Sequence, residues 1–326
     1  MNDGKILVSG VKPTGRPHIG NYLGAMKQYA DLQNDFESYI FIADLHALTT
    51  LQNPTELRSN IFDVALDYLA IGLNPDKVTI YKQSDVPQVA ELAWIFESLT
   101  TMPYLMRAHA FKDAEAKNKE INVGTFNYPM LMAADILLPD ADVVPVGLDQ
   151  KQHIEIARDT AEKFNRIFGE TFKLPEPLIM DTVKTIPGTD GQKMSKSYKN
   201  TIGLFATDSE IKSAVMSIPT DSKGIDEAKD PETDNVFALH KFFTDGPEFE
   251  EVRDRYESGG IGYKESKDIL IKNIIRFVAP LRDKRAELEK DRDYVIDVIK
   301  KGGKKVRERA EEKMIEVRNK IGVTLT

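Results

Sequence analysis

The sequence contains no cysteine in its 326 residues. That excludes disulfides, cysteine nucleophiles and cysteine-ligated zinc. No uninterrupted apolar run approaches the roughly 18 residues of a membrane-spanning helix. The opening MNDGKILVSG lacks the charged-then-apolar pattern of a secretory signal, so a cytoplasmic protein with no membrane partner is expected. Positive charge is in short supply: 44 Lys+Arg against 52 Asp+Glu leave a net charge of −8, which argues against general DNA or RNA coating. A local basic surface stays open, because the 45 residues from Arg282 onward carry 14 Lys+Arg against 10 Asp+Glu. Two familiar nucleotide signatures are also missing. Neither G-x-G-x-x-G nor G-x-x-x-x-G-K-[ST] occurs, so there is no dinucleotide fingerprint and no P-loop. No repeat or low-complexity segment stands out.

What is present is ordinary globular material, 41% hydrophobic and 29% charged, enough for a real core in one large or two modest domains. The most informative stretch is residues 6–24, ILVSGVKPTGRPHIGNYLG. It reads as a buried strand, a glycine-punctuated turn, and a helix opened by Pro17-His18-Ile19-Gly20-Asn21. Glycine lets backbone approach a ligand closely. A helix start offers unpaired N–H groups and a positive dipole end, which suits a phosphate. An ordinary strand–turn–helix is the plainer reading of the same stretch.

A helix follows over Tyr22–Asn34, then a buried strand at Tyr39–Ala43. Asp44 and His46 stand at its carboxyl end, where open α/β sheets bind ligands. His46 reads equally as a binding group or as a structural histidine. Asn53-Pro54-Thr55-Glu56 is a helix start, with Asn53 as cap and Pro54 at the first helical position. Its stripe of Leu57, Ile61, Val64, Ala65, Tyr68 and Leu69 ends at Gly72. Val78–Tyr81 is a third strand, completing βαβαβ, half of a doubly wound sheet.

Residues 86–140 read mostly as helix, with the single tryptophan, Trp94, inside Ala90–Leu99. Phe111–Gly124 has little periodicity and reads as an exposed loop. Tyr128–Leu138 is apolar apart from Asp135. A buried carboxylate needs a partner, so Asp135 is either capped or ion-paired locally, or waits for a ligand N–H. Asp142–Val146 is a short strand. Gly147-Leu148-Asp149-Gln150 at its end suits a ribose, and a helix then runs to about Phe168 with His153, Glu155 and Arg158 exposed. The loop Pro187–Asn200, PGTDGQKMSKSYKN, holds Lys193, Lys196 and Lys199 close together. It is either a solvated surface or a polyphosphate clamp. From about Thr207 strands vanish, and helices are expected over 208–217, 235–244, 247–256, 264–290 and 292–320.

His18-Ile-Gly-Asn21 and Lys193-Met-Ser-Lys-Ser197, about 170 residues apart, together resemble the paired HIGH and KMSKS motifs of class I aminoacyl-tRNA synthetases. Ser9-Gly10, Pro13-Thr14-Gly15, the run Tyr128-Pro129 through Ala133-Ala134-Asp135-Ile136-Leu137, Val144–Gly147 with Asp149-Gln150, and His153-Ile154-Glu155 look like the tryptophanyl branch. The match is dense over residues 5–200 and weaker beyond.

The resemblance implies an α/β Rossmann-type doubly wound parallel sheet with a C-terminal all-helical domain. It places a catalytic domain at 1–205, with a helical insertion about 86–140. A tRNA anticodon-binding domain follows at 206–326, its last helix free to pack back on the first. It also implies L-tryptophan, ATP with substrate-borne Mg²⁺, and tRNA(Trp) as reactants, and a homodimer. Carried over by position, the catalytic groups are His18, Asn21, Lys193 and Lys196. ATP contacts fall on Lys12, Pro13, Thr14, Gly20, Asn21, Gly147, Leu148, Asp149, Ile186, Lys193, Met194, Ser195, Lys196 and Ser197. Tryptophan contacts fall on Asp135, Tyr128, Met132, His46 and Gln150. One position departs from the branch, which often has Gln where this chain has Lys12. The alternatives are a tyrosyl-tRNA synthetase, a HIGH-motif nucleotidyltransferase, and a non-enzymatic paralogue on the same scaffold.

Overall fold

β1 (Ile6–Val11) is apolar through its first residues, with Ile6, Leu7 and Val8 buried. A strand apolar on both faces belongs in the middle of a covered parallel sheet, and β1 takes the central place. The computed structural model describes residues 4–108, 111, 112, 115, 121–147, 151–179 and 186–325. β2 (Glu37–Ile42), β3 (Val78–Lys82), β4 (Val143–Val146) and β5 (Glu176–Ile179) complete a five-stranded sheet of order β3-β2-β1-β4-β5, every pair parallel. The chain order reverses between β1 and β4. That is the topological switch point at which such sheets hold ligands beyond their carboxyl ends.

β5 was absent from the sequence reading. Its core, Glu176-Pro177-Leu178-Ile179, carries a proline, which sits on a sheet edge where one N–H is not needed. The other strands fall within two residues of expectation.

The helices follow their sequence signals. α1 (Ile19–Asn21), a π-helical segment Tyr22–Met26 and α2 (Lys27–Leu32) come first, then α3 (Asp44–Ala47). α4 (Pro54–Ala70) starts on the Asn53 cap, whose side chain accepts from the Thr55 and Glu56 N–H groups. α5 (Gln88–Leu99) and α6 (Met102–Leu105) precede α7 (Val123–Leu137), capped by Asn122. α8 (Lys151–Phe168) follows β4. Of the expected loop 111–124, residues 113, 114 and 116–120 lie outside the described residues. His153 on α8 is half-buried rather than exposed, because its ring hydrogen-bonds Tyr128. α9 (Asp208–Met216), α10 (Asn235–Phe243), α11 (Gly246–Glu257), α12 (Tyr263–Leu288) and α13 (Arg292–Ile321) lie within two residues of the expected helices. Among the described residues no helix is long and apolar enough to cross a membrane.

The compact units do not divide at residue 205. The first comprises Met1–Gly15, Gln28–Thr182 and Asp291–Thr326, and the second Arg16–Lys27 and Val183–Lys290. The first unit holds the sheet and a core built from Val8, Tyr39, Phe96, Phe164 and the α13 residues Val306, Ala310 and Met314. α13 belongs there because Gly302 lies against β3: a Cβ on Gly302 would stand 1.9 Å from the Ile80 carbonyl oxygen. The second unit has its own cluster of Phe237, Val252, Tyr256 and Ile261. The segment Arg16–Lys27 joins it by backbone pairing. The Ile19 N–H donates to the Ile202 carbonyl at 2.9 Å, and the Leu204 N–H to the Pro17 carbonyl at 3.0 Å.

Candidate active site

Within the second unit the two distant motifs meet. His18 and Gly203 form an antiparallel bridge. A Cβ added to Gly20 would lie 3.3 Å from the Met194 Cβ and 3.0 Å from the His18 ring, so only glycine fits at this helix start without displacing a neighbour. His18 Nδ1 accepts from the Asn21 N–H at 3.2 Å, and Asn21 Oδ1 accepts from the His18 N–H at 3.1 Å, a reciprocal cap. Burial, and then the Lys196 ammonium, push the His18 pKa down to about 4. The ring is therefore neutral at pH 7. With Nδ1 accepting, its proton sits on Nε2, which becomes a donor.

The Lys193–Ser197 loop is stapled from below. Asn200 is buried; its Oδ1 accepts from the Ser195 N–H at 2.7 Å, and its Nδ2 donates to the Lys193 carbonyl and to Asp190 Oδ1. Gly188 passes so close that a Cβ would meet the Asn200 amide at 2.3 Å. The Met194 N–H donates to the Ile186 carbonyl, and both side chains are buried. The Ser195 hydroxyl caps the turn Lys196–Tyr198 by accepting from the Ser197 N–H. Lys193 and Lys196 are left at the surface. Sequence reading did not single out Asn200. The sequence offered only an Asn closing a glycine- and lysine-rich turn; the structure adds that the preceding Lys199 has a left-handed φ of 55°.

Within the first unit, His46 follows the carboxyl end of β2, and Tyr128, Met132 and Asp135 lie on α7. Asp135, on α7, is 2% exposed. The sequence left both a local partner and a ligand N–H open for it; the structure gives it internal partners. His46 Nε2 lies 2.9 Å from Oδ2, and Gln83 Nε2 donates to both Oδ1 and Oδ2, at 2.9 and 2.8 Å. The local-partner reading of Asp135 is therefore present in the fold, and His46 is a satisfied histidine at Nε2. Carboxylate oxygens carry about four acceptor sites, so capacity remains for a further donor. His46 Nδ1 is buried without a hydrogen-bond partner among the described residues. Burial raises the Asp135 pKa, and the hydrogen bonds from His46 and Gln83 oppose that rise.

Gln83, like Asn200, was missed by sequence reading. It is fully buried in the turn Gln83–Asp85 directly after β3. Its place at the carboxyl edge of the third strand was the only clue. Tyr128 stacks edge-on to His46 and bonds His153, and the Lys12 ammonium lies 5.6 Å from its ring centroid. Lys12 keeps part of its surface open, yet the surrounding protein desolvates it and lowers its pKa. Met132 is half-buried on α7 and Gly147 half-buried after β4. Pro13 is buried, and the Thr14 N–H donates back to the Lys12 carbonyl at 2.9 Å. Leu148, Asp149 and Gln150 lie outside the described residues. No group of three His, Asp or Glu able to hold a metal occurs among the described residues.

Comparison with known proteins bears on these constellations. Residues 2–279 match the family model described as tRNA synthetases class I (W and Y). The tryptophan–tRNA ligase of Fusobacterium nucleatum is 48% identical over 320 residues, covering 98% of this chain and 98% of that protein. The Rhodopirellula baltica ligase is 48% identical over 317 residues, 97% and 99% covered. The crystal structure of Campylobacter jejuni tryptophanyl-tRNA synthetase complexed with ADP and tryptophan superposes with a TM-score of 0.92 at 42% identity, covering 97% of this chain and 99% of that one.

Proposed function

This chain belongs to the class I tRNA synthetases of the tryptophan and tyrosine group, and we infer from that membership that it joins L-tryptophan to tRNA(Trp) at the expense of ATP. The reaction has two steps. Tryptophan and ATP, the latter carrying its own Mg²⁺, give tryptophanyl-adenylate and pyrophosphate. The tryptophanyl group then passes to the terminal ribose of the tRNA. The nucleophile of the first step is a carboxylate, already ionised at pH 7, so no general base is needed. Catalysis of this kind is positioning plus electrostatics.

The observation that carries the reading is the pairing of the His18 helix start with the Lys193–Ser197 loop in one unit. We assign His18 Nε2–H and Asn21 to the ATP phosphates, and Lys193 and Lys196 to the charge that develops on pyrophosphate as it leaves. Gly20, Pro13, Thr14, Ile186, Met194, Ser195 and Ser197 shape the nucleotide seat through backbone and packing, and the Gly147–Asp149 turn takes the ribose. Asp135 receives the indole N–H, with His46, Tyr128, Met132 and Gln150 around the amino acid. Such a site can reject a substrate lacking the polar group by about 10⁴–10⁵, which separates tryptophan from phenylalanine. Lys12, a cation with no carboxylate partner among the described residues, suits the amino-acid carboxylate or the α-phosphate.

Helices α9–α12 are assigned to the tRNA. A homodimer is supported by an apolar groove of about 560 Å³ in the first unit, beside which Trp94 is 70% and Val123 73% exposed. The cytoplasm, where aminoacyl-tRNA is consumed, is the expected compartment. The test is charging of a tRNA(Trp) transcript with labelled tryptophan. Adenylate formation without charging would remove tRNA from the list of reactants.

A further inference from the structure

Asp135 does not set its own position; a fully buried amide from another element does. Gln83 lies just after β3, and its side chain faces two ways. Nε2 reaches both Asp135 oxygens at 2.9 and 2.8 Å. Oε1 accepts from the backbone N–H groups of Leu45 and His46 on α3, at 3.1 and 3.2 Å. One amide thus ties the carboxylate on α7 to the backbone of the helix that carries His46. His46 Nε2 closes the triangle on Asp135 Oδ2 at 2.9 Å. The turn that presents Gln83 is itself anchored, since the Ser84 N–H and hydroxyl both donate to Asp44.

We propose that Gln83 is the positioning residue of the tryptophan site: it fixes the orientation of the Asp135 carboxylate and keeps it an acceptor, so that the remaining lone pair faces the indole N–H. The proposal rests on the reading of Asp135 as the indole acceptor.

Chemistry supports glutamine over other residues here. Hydrogen bonds donated to a buried carboxylate favour its charged form, and those from His46 and Gln83 oppose the rise that burial imposes on Asp135. A neutral amide donates without adding charge and fixes direction through its second end, which is bonded to backbone. A lysine would neutralise Asp135 and cancel its pull on the indole. An apolar residue would remove both amide hydrogen bonds to Asp135, leaving it His46 on Oδ2, and would strand the His46 N–H, while the Leu45 N–H keeps Asp44 Oδ1. The titratable groups facing Asp135 are His46 and Asp44 from α3 and Tyr81 from β3. Tyr128 packs edge-on against the His46 ring.

The test uses the full-length enzyme in tryptophan-dependent ATP–pyrophosphate exchange. Gln83→Met keeps the volume and removes both ends of the amide. It should raise the KM for tryptophan at least tenfold while the KM for ATP stays within twofold. Gln83→Glu is the sharper variant. With one proton, the introduced carboxyl donates to Asp135 as the amide does, and its other oxygen still accepts from the α3 backbone. As pH rises that proton is lost, because two carboxylates in contact share one proton only up to a raised pKa. The KM for tryptophan should then lie near wild type at pH 6 and rise at least tenfold relative to wild type by pH 8.5. A purely structural role would lower thermal stability without this pH-dependent KM. If Gln83→Met does not fold, the Gln83→Glu profile decides alone.

Asp135→Asn runs alongside. If it raises the KM for tryptophan while both Gln83 variants match wild type at every pH, the positioning role is wrong and the acceptor role survives. If Asp135→Asn leaves that KM unchanged, the acceptor role falls and the proposal with it.

Discussion

His18 and Asn21 hold each other at the mouth of α1: each side chain accepts the backbone N–H of the other, at 3.2 and 3.1 Å. Burial and the Lys196 ammonium keep the imidazole neutral, and because the pair occupies Nδ1, the ring proton is on Nε2. His18→Ala should therefore lower kcat for exchange by about 10²–10³-fold, the loss typical of one preorganised donor to developing charge. The KM for tryptophan should change little, since His18 faces phosphate in this account. Because the His18 pKa is about 4, wild-type kcat should be flat from pH 6 to 8. An inflection near pH 6.5 that vanishes in His18→Ala would mean that the ring is charged in the working enzyme.

Acid stability provides a second prediction. His240 is fully buried, bonded to Thr244 and Ser266, and burial lowers its pKa to about 4. The folded pKa lies below the ordinary value of 6.5, so the unfolded chain takes up the proton first as pH falls. The contribution is complete above pH 6.5 and is lost progressively down to about pH 4. It amounts to about 3 kcal/mol at most for His240. Denaturant melts at pH 7 and 4.5 should show this loss, and His240→Gln should remove a large part of it. An identical pH dependence in the variant would contradict the assignment.

Asn200 makes three hydrogen bonds beneath the Lys193–Ser197 loop. Asn200→Ala strands the Ser195 N–H and the Lys193 carbonyl, each worth roughly 1–3 kcal/mol when left unsatisfied. The loop should loosen, kcat for exchange should fall at least tenfold, and limited proteolysis should cut sooner within 187–200. Unchanged kcat together with faster cleavage would separate loop order from catalysis.

Gly302 admits no side chain. Gly302→Ala forces α13 away from β3, because the new Cβ would overlap the Ile80 carbonyl. Overpacking of this kind costs about 1–3 kcal/mol, and the loss should be read as a lowered Tm. A variant as stable as wild type would mean that α13 sits farther from β3 than described.

Much of this architecture could be read from residue types. β1 to β4 announced themselves as short apolar runs, and the C-terminal helices by their periodicity, because burial on one or both faces leaves a pattern in the chain. β5 did not, since an edge strand tolerates Pro177 and pairs on one side only. His18, Asn21 and the Lys193–Ser197 run were visible as local motifs. Gln83 and Asn200 were not: Gln83 acts through Asp135, 52 residues away, Asn200 acts through backbone groups and Asp190 within ten residues, and a buried amide has no periodic signature in either case. The division of the chain was hidden for a similar reason. Arg16–Lys27 follows β1 without a break yet clusters with Val183–Lys290, through pairing with residues 202–204 that no local pattern reveals.

The most direct test is ATP–pyrophosphate exchange by the purified full-length protein with each of the twenty amino acids in turn. Tryptophan alone should support rapid exchange, with tyrosine and phenylalanine lower by about 10⁴ or more in kcat/KM. Exchange that is equal with tyrosine, or absent with every amino acid, would contradict the account.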